Sequence, residues 1–300
     1  MKTEGAITIT IDPETCKKDG LCARVCPARQ FEWKERERPV LAKEDRCVLC
    51  GQCMAICPSG SIRHSRLDIT RFERIEDRHP VDPEAFMHFL GQRRSVRSFK
   101  KDPVPRETLE KVVGCIGLAP TGAFGGPGWV RRAVIVTGDE NLAKVRDMTA
   151  EYIRKMLGML DGIFVKAAAR FNAEARGGLA TLPDVRMRVA ELEAGRDPIL
   201  YGAPAAVFLH SPKDTSTPQE DNDAAVMYIL MAAHAHGLGA CWNGYLQHAA
   251  AGDFFKGFTK LAAFLGIPEG NRVCAAAIIG WPALKLHSVP PREAELRWVV

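Results

Sequence analysis

The rhythm of apolar positions along this chain changes near residue 83. Before it, elements are short. Residues 6–11 are rich in β-branched side chains and predict a strand, and Ser61, Ile62 and Arg63 predict a second one returning after a polar connection from Phe31 to Arg46. After it, the spacing turns helical. Phe86, Phe89 and Leu90 share one face of a helix expected over Pro83–Arg94, and Leu109, Val112, Val113 and Ile116 point inward from one over Pro105–Leu118, with Pro105 in its first turn. Apolar runs at 133–136, 206–209 and 273–279 predict strands, the second following a turn at Gly202, Ala203 and Pro204. Residues 141–194 read as mostly helical, and a helix over Asp221–His236 stops at Gly237. Strands mixed with long helices give an α+β class with a covered sheet. The charged stretch 67–84, with two prolines, reads as a linker between domains at 1–66 and 85–300.

Composition narrows the field without deciding it. The 300 residues are 46% hydrophobic and 26% charged, ordinary for a soluble globular protein. A net charge of +5 is too mild to argue for nucleic acid. No apolar export segment opens the sequence, and the stretch 224–242, which holds His234 and His236, reads as a buried helix, so no membrane association is expected. Seven of ten cysteines fall in two tight runs, which favours thiolate ligands in a reducing cytoplasm over disulfides.

Those runs carry the strongest chemical signal. The second holds Cys47, Cys50, Cys53 and Cys57 before Pro58; the first holds Cys16, Asp19, Cys22 and Cys26 before Pro27. This is the C-x2-C-x2-C-x3-C-P run of bacterial two-cluster ferredoxins, with Asp19 in place of one cysteine. Three closely spaced cysteines reach three corners of one iron–sulfur cube, and the fourth, before proline, turns to the other cube. One cluster then takes Cys47, Cys50, Cys53 and Cys26, and the other Cys16, Cys22, Cys57 and Asp19. A carboxylate is a harder ligand than a thiolate. Asp19 either binds a labile fourth iron in a [4Fe-4S] cluster or leaves a [3Fe-4S] one. Gly20 and Gly51 hold matching places, where a side chain is expected to crowd the cube. A zinc module, with two separated cysteine pairs, fits the spacing poorly.

Arg93, Arg94, Ser95, Arg97 and Ser98 crowd guanidiniums and hydroxyls before Phe99, a composition suited to a phosphate. With Pro103–Pro105, Ala119–Gly122, Gly202–Pro204, Gly237–Trp242 and Gly280–Pro282, in that order, the second domain resembles the FMN-dependent nitroreductase family. The whole chain is similar to a ferredoxin–nitroreductase fusion. The resemblance implies a small ferredoxin-like domain followed by an α/β/α domain with a covered mixed sheet, and a homodimer with FMN at the subunit interface. It implies that Arg93, Arg94 and Ser95 hold the FMN phosphate and ribityl chain and that Arg97 sits near the pyrimidine edge. Pro120, Thr121 and Gly122 would reach the flavin from the partner subunit, Asn243 and Gly244 would place a backbone N–H near flavin N5, and Arg292 would add a phosphate contact. Phe124 and Gly126 depart from the family, standing where two amides usually face the flavin.

Three readings follow. The first is an oxidoreductase passing electrons between two clusters and FMN and reducing a small acceptor such as a nitro compound, quinone or activated alkene, with NAD(P)H a candidate donor; flavin N5 carries the chemistry and no catalytic side chain is singled out. The second is an electron-transfer adaptor exchanging electrons with a ferredoxin or flavodoxin. The third is a binding protein that has lost FMN. Cys115, Cys241 and Cys274 read as packed thiols, and His234 with His236 as a core or interface pair. Phe164, Phe171, Arg170, Arg176 and Arg186 are candidates for a substrate mouth, with ordinary helix surface the equal alternative.

Overall fold

The computed structural model describes residues 7–42, 47–75, 81–122, 131–255 and 257–300. Their backbone contacts divide them between two compact units, one drawn from Met1–Pro80 with Thr121–Val130 and the other from Val81–Pro120 with Arg131–Val300.

In the smaller unit, β1 (Ile9–Ile11) begins the chain's regular structure and α1 (Leu21–Val25), β2 (Phe31–Glu32), β3 (Val40–Leu41), α2 (Gln52–Ala55) and β4 (Ile62–His64) follow. The first and last strands pair antiparallel, Ile9 opposite His64 and Ile11 opposite Ile62. Ile9, Phe31, Met54 and Ile62 form a small core that also takes in Cys22 and Cys53. Leu67, Ile69 and Phe72 lean on it, and Asp68 caps a short 3-10 turn by accepting the Thr70 N–H at 2.9 Å. The stretch 67–72 is therefore part of this unit's packing, and the linker expected to start at residue 67 starts later. Its charge hides three apolar side chains spaced to close over the cysteine layer.

The larger unit is built on a four-stranded sheet ordered β5 (Arg132–Thr137), β6 (Ala205–Pro212), β8 (Asn271–Gly280), β7 (Gly239–Trp242). All three ladders are antiparallel, and among the described residues the one parallel element is a bridge from Ser95 to Ala240 on the outer edge of β7. Side chains alternate across the sheet. Ala206, Phe208, Ala276 and Ile278 face one core, closed by α5 (Asp139–Leu160), α8 (Leu182–Glu193), α10 (Gly244–Ala251) and α11 (Lys260–Phe264). Val207, Leu209, Ala277 and Ile279 face the other, closed by α4 (Arg106–Gly114) and α9 (Pro218–Ala235). This is the α/β/α arrangement expected. Leu109, Val112, Val113 and Ile116 are all buried, though the helix carrying them tightens into a 3-10 turn at Cys115–Leu118. The helix expected over 83–94 is α3 (Pro83–Gln92), which buries no residue, and Phe86 is 45% exposed. The helices α6 (Ile163–Ala168) and α7 (Ala173–Ala180) lie in the same part of the chain as Phe164 and Phe171, which are both exposed. No helix among the described residues is long and apolar enough to cross a membrane.

The short motifs scattered through the second half meet at one junction. The Val96 N–H donates to the Ala240 carbonyl at 3.1 Å, the Lys100 N–H to that of Trp281 at 2.8 Å, and the Ala283 N–H to that of Ser98 at 2.9 Å. A Cβ on Gly239 would lie 2.7 Å from Val96, and one on Gly280 would lie 2.4 Å from Pro204 and 2.9 Å from Phe99. Gly202 turns the chain into Pro204 at φ 77°, under an Asp197 carboxylate that accepts the N–H groups of Ile199, Leu200 and Gly202. Glycine and proline at these places let segment 95–100 run against the sheet edge, with the arginines at its start.

Candidate functional site

The two cysteine runs form matching halves, each with a short helix capped by a glycine. Cys16 and Cys47, Asp19 and Cys50, Cys22 and Cys53, and Cys26 and Cys57 are all 31 positions apart, as are Gly20 and Gly51. Cys16, Asp19, Cys22 and Cys57 line one cavity; Cys26, Cys47, Cys50 and Cys53 line another. The last cysteine of each run therefore crosses to the other's cavity. Among the described residues no three such side chains close round a single metal ion, as befits ligands spread over the corners of a cube. The donor sets suit iron–sulfur clusters: seven thiolates, one carboxylate, and matched backbone amides. The Gln30 N–H donates to Cys26 Sγ and the Ser61 N–H to Cys57 Sγ, both at 3.3 Å.

Gly20 and Gly51 also shape the backbone and the packing round them. They are the N-cap residues of α1 and α2, at φ 68° and 71°, in the left-handed region. A Cβ on Gly20 would lie 2.3 Å from the Trp33 ring, and one on Gly51 would lie 3.0 Å from Phe72. The crowding is against an aromatic lid. Asp19 is tied by a hydrogen bond from the Leu21 N–H to Oδ1 at 3.1 Å.

The thiols differ in readiness. Burial pushes Cys22 up to about 11 and Cys53 up to about 12, and raises Cys47. Burial also acts on Cys57, but hydrogen bonds from Ser59 and Ser61 outweigh it and bring this thiol below its ordinary value. Since the thiolate is the reacting form, iodoacetamide added to cluster-free protein at pH 8 should label Cys57 at least about tenfold faster than Cys22 or Cys53. Peptide mass spectrometry over time checks this, and equal rates would contradict it.

In the larger unit, Gln92, Arg93, Arg94, His234, Gly239 and Ala240, with the tail segment Leu284–Val289, line a cleft of about 430 Å³. Partial burial and the neighbouring guanidiniums of Arg94 and Arg292 together lower the Arg93 pKa, so the three arginines lie close together. Among the described residues none of the three pairs with a carboxylate. Arg94 is also a strut, donating to the carbonyls of Gly91, Arg93 and Pro290 while its Nε is buried without a partner. Crowded cations with an orphaned N–H and a cleft before them fit a phosphate-bearing group. His234, missed as a site residue because its helix read as core, lines this cleft; burial and Arg93 lower its pKa, and its ring lies 4.8 Å from that of Phe89.

The remaining expected residues are distributed as follows. Ser95 and Arg97 are exposed along the segment leading from the cleft. The Pro120 carbonyl accepts from Arg131 Nη2 at 2.6 Å, in the larger unit, while Thr121 and Gly122 fall with the smaller one. Phe124 and Gly126 lie outside the described residues. Asn243 departs from the expected role. Its N–H is spent on the Ala276 carbonyl, its Oδ1 caps α10 through the Leu246 N–H, and its Nδ2 donates to the Ile199 carbonyl at 2.7 Å. It is the N-cap of α10, and Gly244 opens the helix. Arg186 pairs with Asp161 at 2.8 Å, and Arg176 donates to the Ala169 carbonyl at 3.3 Å, which suits ordinary helix surface.

Comparison with known proteins agrees with both halves. Residues 90–281 match the model of the nitroreductase family, and residues 8–58 that of a 4Fe-4S dicluster domain. The chain is 27% identical over 219 residues to a 5,6-dimethylbenzimidazole synthase of Rhodospirillum rubrum, covering 69% of this chain and 85% of that one. It is 37% identical over 57 residues to a ferredoxin of Methanothermococcus thermolithotrophicus, 18% of this chain and 93% of the relative. A nitroreductase with bound FMN from Desulfitobacterium hafniense superimposes with a TM-score of 0.51 at 18% identity, over 71% of this chain and 97% of that one.

Proposed function

Because the chain belongs to the nitroreductase family and carries a 4Fe-4S dicluster domain ahead of that fold, making it a flavin oxidoreductase, we propose that it passes electrons between two clusters and FMN and delivers them to a small acceptor: a nitro compound, a quinone or an activated alkene. The observation that carries this reading is the trio Arg93, Arg94 and Arg292 by the 430 Å³ cleft, with no carboxylate among the described residues to neutralise them. When bound, FMN supplies one- and two-electron chemistry in one group, which joins single-electron carriers to a hydride-type reduction. The chain's part is to hold and orient. Arg93 and Arg292 meet the phosphate, Arg94 braces the tail while offering Nε, and Gly244 presents an N–H at the start of α10. A second copy of the chain, supplying Pro120, Thr121 and Gly122, completes the site, and NAD(P)H is the donor to try first.

The ligand sets are Cys47, Cys50, Cys53 and Cys26 for one cluster and Cys16, Cys22, Cys57 and Asp19 for the other. The direct test is anaerobic reconstitution with iron, sulfide and FMN, removal of excess, then a count of flavin, iron and sulfide per chain. Near-stoichiometric FMN supports the reading; a flavin-free protein overturns it. Asp19→Cys should slow the loss of cluster absorbance in air, because a fourth thiolate holds iron more firmly than a carboxylate. An unchanged decay rate and iron count would remove Asp19 from the ligand set.

A further inference from the structure

The two halves of the smaller unit match in their cysteines and differ in what stands behind them. Trp33 and His64 occupy corresponding places, 31 positions apart, as do Gln30 and Ser61. We propose that His64, with Gln30 beside it, donates hydrogen bonds to the cluster held by Cys26, Cys47, Cys50 and Cys53 and raises the reduction potential of that cluster alone. The inference rests on the ligand sets given above.

His64 ends β4, opposite Ile9 on β1, and is 9% exposed. Its Nδ1 accepts the Arg66 N–H at 3.0 Å. A ring nitrogen that accepts a hydrogen bond carries no proton, so the proton of the neutral ring is on Nε2. That nitrogen lies 3.3 Å from Cys47 Sγ. The backbone turn thus fixes the tautomer that makes His64 a donor to sulfur. An N–H donated to a ligating thiolate stabilises negative charge, and more so once the cluster has gained an electron, so it favours the reduced state.

Gln30 is an independent pointer to the same cavity. It is 1% exposed, neither atom of its carboxamide has a partner, and it lines the cavity with the four cysteines and His64. A buried amide without a partner is costly, and the sulfur atoms of a cluster are acceptors placed to meet it. In the other half Ser61 is already engaged, with Ser59 at 2.6 Å and Thr15 at 3.1 Å. The amide-to-sulfur bonds at Cys26 and Cys57 are equal in the two halves and raise both potentials alike. The asymmetry comes from His64 and Gln30.

The test uses the full chain reconstituted anaerobically, with iron and sulfide counted first and potentials then read by dye-mediated titration followed by electron paramagnetic resonance. His64→Leu should lower one of the two one-electron steps by about tenfold in the reduction equilibrium, about 59 mV, and leave the other in place. His64→Gln, which keeps an N–H at similar reach, should stay near the wild-type value. Gln30→Leu should lower the same step by a smaller amount. Unmoved potentials in His64→Leu, or equal shifts in the leucine and glutamine variants, would overturn the proposal. So would Ser59→Ala, whose lost hydroxyl lies against Cys57 at 3.6 Å, if it moved the same step. If His64→Leu takes up no iron, Gln30→Leu decides, and an unmoved potential there is fatal. Fewer than two clusters per chain, or a Cys47→Ala variant that keeps both, would instead sink the ligand reading and this inference with it.

Discussion

Asp221→Ala should destabilise the larger unit by about 3–5 kcal/mol, the cost of leaving one member of a buried ion pair uncompensated. Arg131 Nη1 lies 3.4 Å from Asp221 Oδ2, and each side chain is only 6% exposed. The guanidinium has a second task, since Nη2 holds the Pro120 carbonyl at 2.6 Å and fixes the end of the segment that leads into Thr121 and Gly122. Asp221 sits in the first turn of α9, where its charge also meets the exposed N–H groups of the helix start. Removing the carboxylate strands Arg131 in a site with little water. Asp221→Asn should cost less, because a polar partner remains. The paired replacement Arg131→Met with Asp221→Leu should recover most of the loss, since neither charge is then buried. Urea unfolding followed by far-ultraviolet circular dichroism, compared across the set, measures this. A single alanine variant costing under about 1 kcal/mol would place the pair among weak surface bridges.

How much of this was legible beforehand depended on whether the signal was local. The cysteine spacing was, because ligands to one cube must be close in sequence. So were the three long strands and the helix faces of α4, where period and burial agree. The helix α3 was legible too, from the spacing of Phe86, Phe89 and Leu90, but nothing in ten residues says how far that face is covered: Phe86 is 45% exposed while the Phe89 ring meets that of His234. The same limit hid the reason for the motifs. Gly239, Gly280, Pro204 and Phe99 are far apart in sequence, yet a Cβ on Gly239 would come within 3 Å of Val96, and one on Gly280 within 3 Å of Pro204 and Phe99. Asn243 was expected near the flavin through the family resemblance alone. Its true work, capping α10 while pinning the Ile199 carbonyl, depends on a loop 44 residues earlier. His64 gave no signal in the sequence, because a histidine one residue past the expected strand Ser61–Arg63 becomes a donor only through the turn that brings Arg66 onto its Nδ1.

Arg93→Ala should weaken FMN binding by roughly ten- to a hundredfold, the worth of one charge-assisted contact of about 1.5–3 kcal/mol. The sign of its effect on the flavin-free protein separates binding from packing. Among the described residues Arg93 makes no hydrogen bond or ion pair, and it crowds Arg94 and Arg292, so its loss relieves like-charge repulsion. The melting temperature of the flavin-free variant should be unchanged or higher. Arg94→Ala differs, because that side chain ties Gly91 to Pro290 across the chain; it should lose both flavin affinity and stability. Raising salt should weaken FMN binding to the wild type more than to Arg93→Ala, since a screened phosphate loses most where most cations face it. Fluorescence titration of FMN at two ionic strengths, beside melting curves of the flavin-free forms, reads all four quantities. Full flavin occupancy in Arg93→Ala after exhaustive dialysis would move the phosphate away from this cleft. A fall in its flavin-free stability would make Arg93 a packing residue.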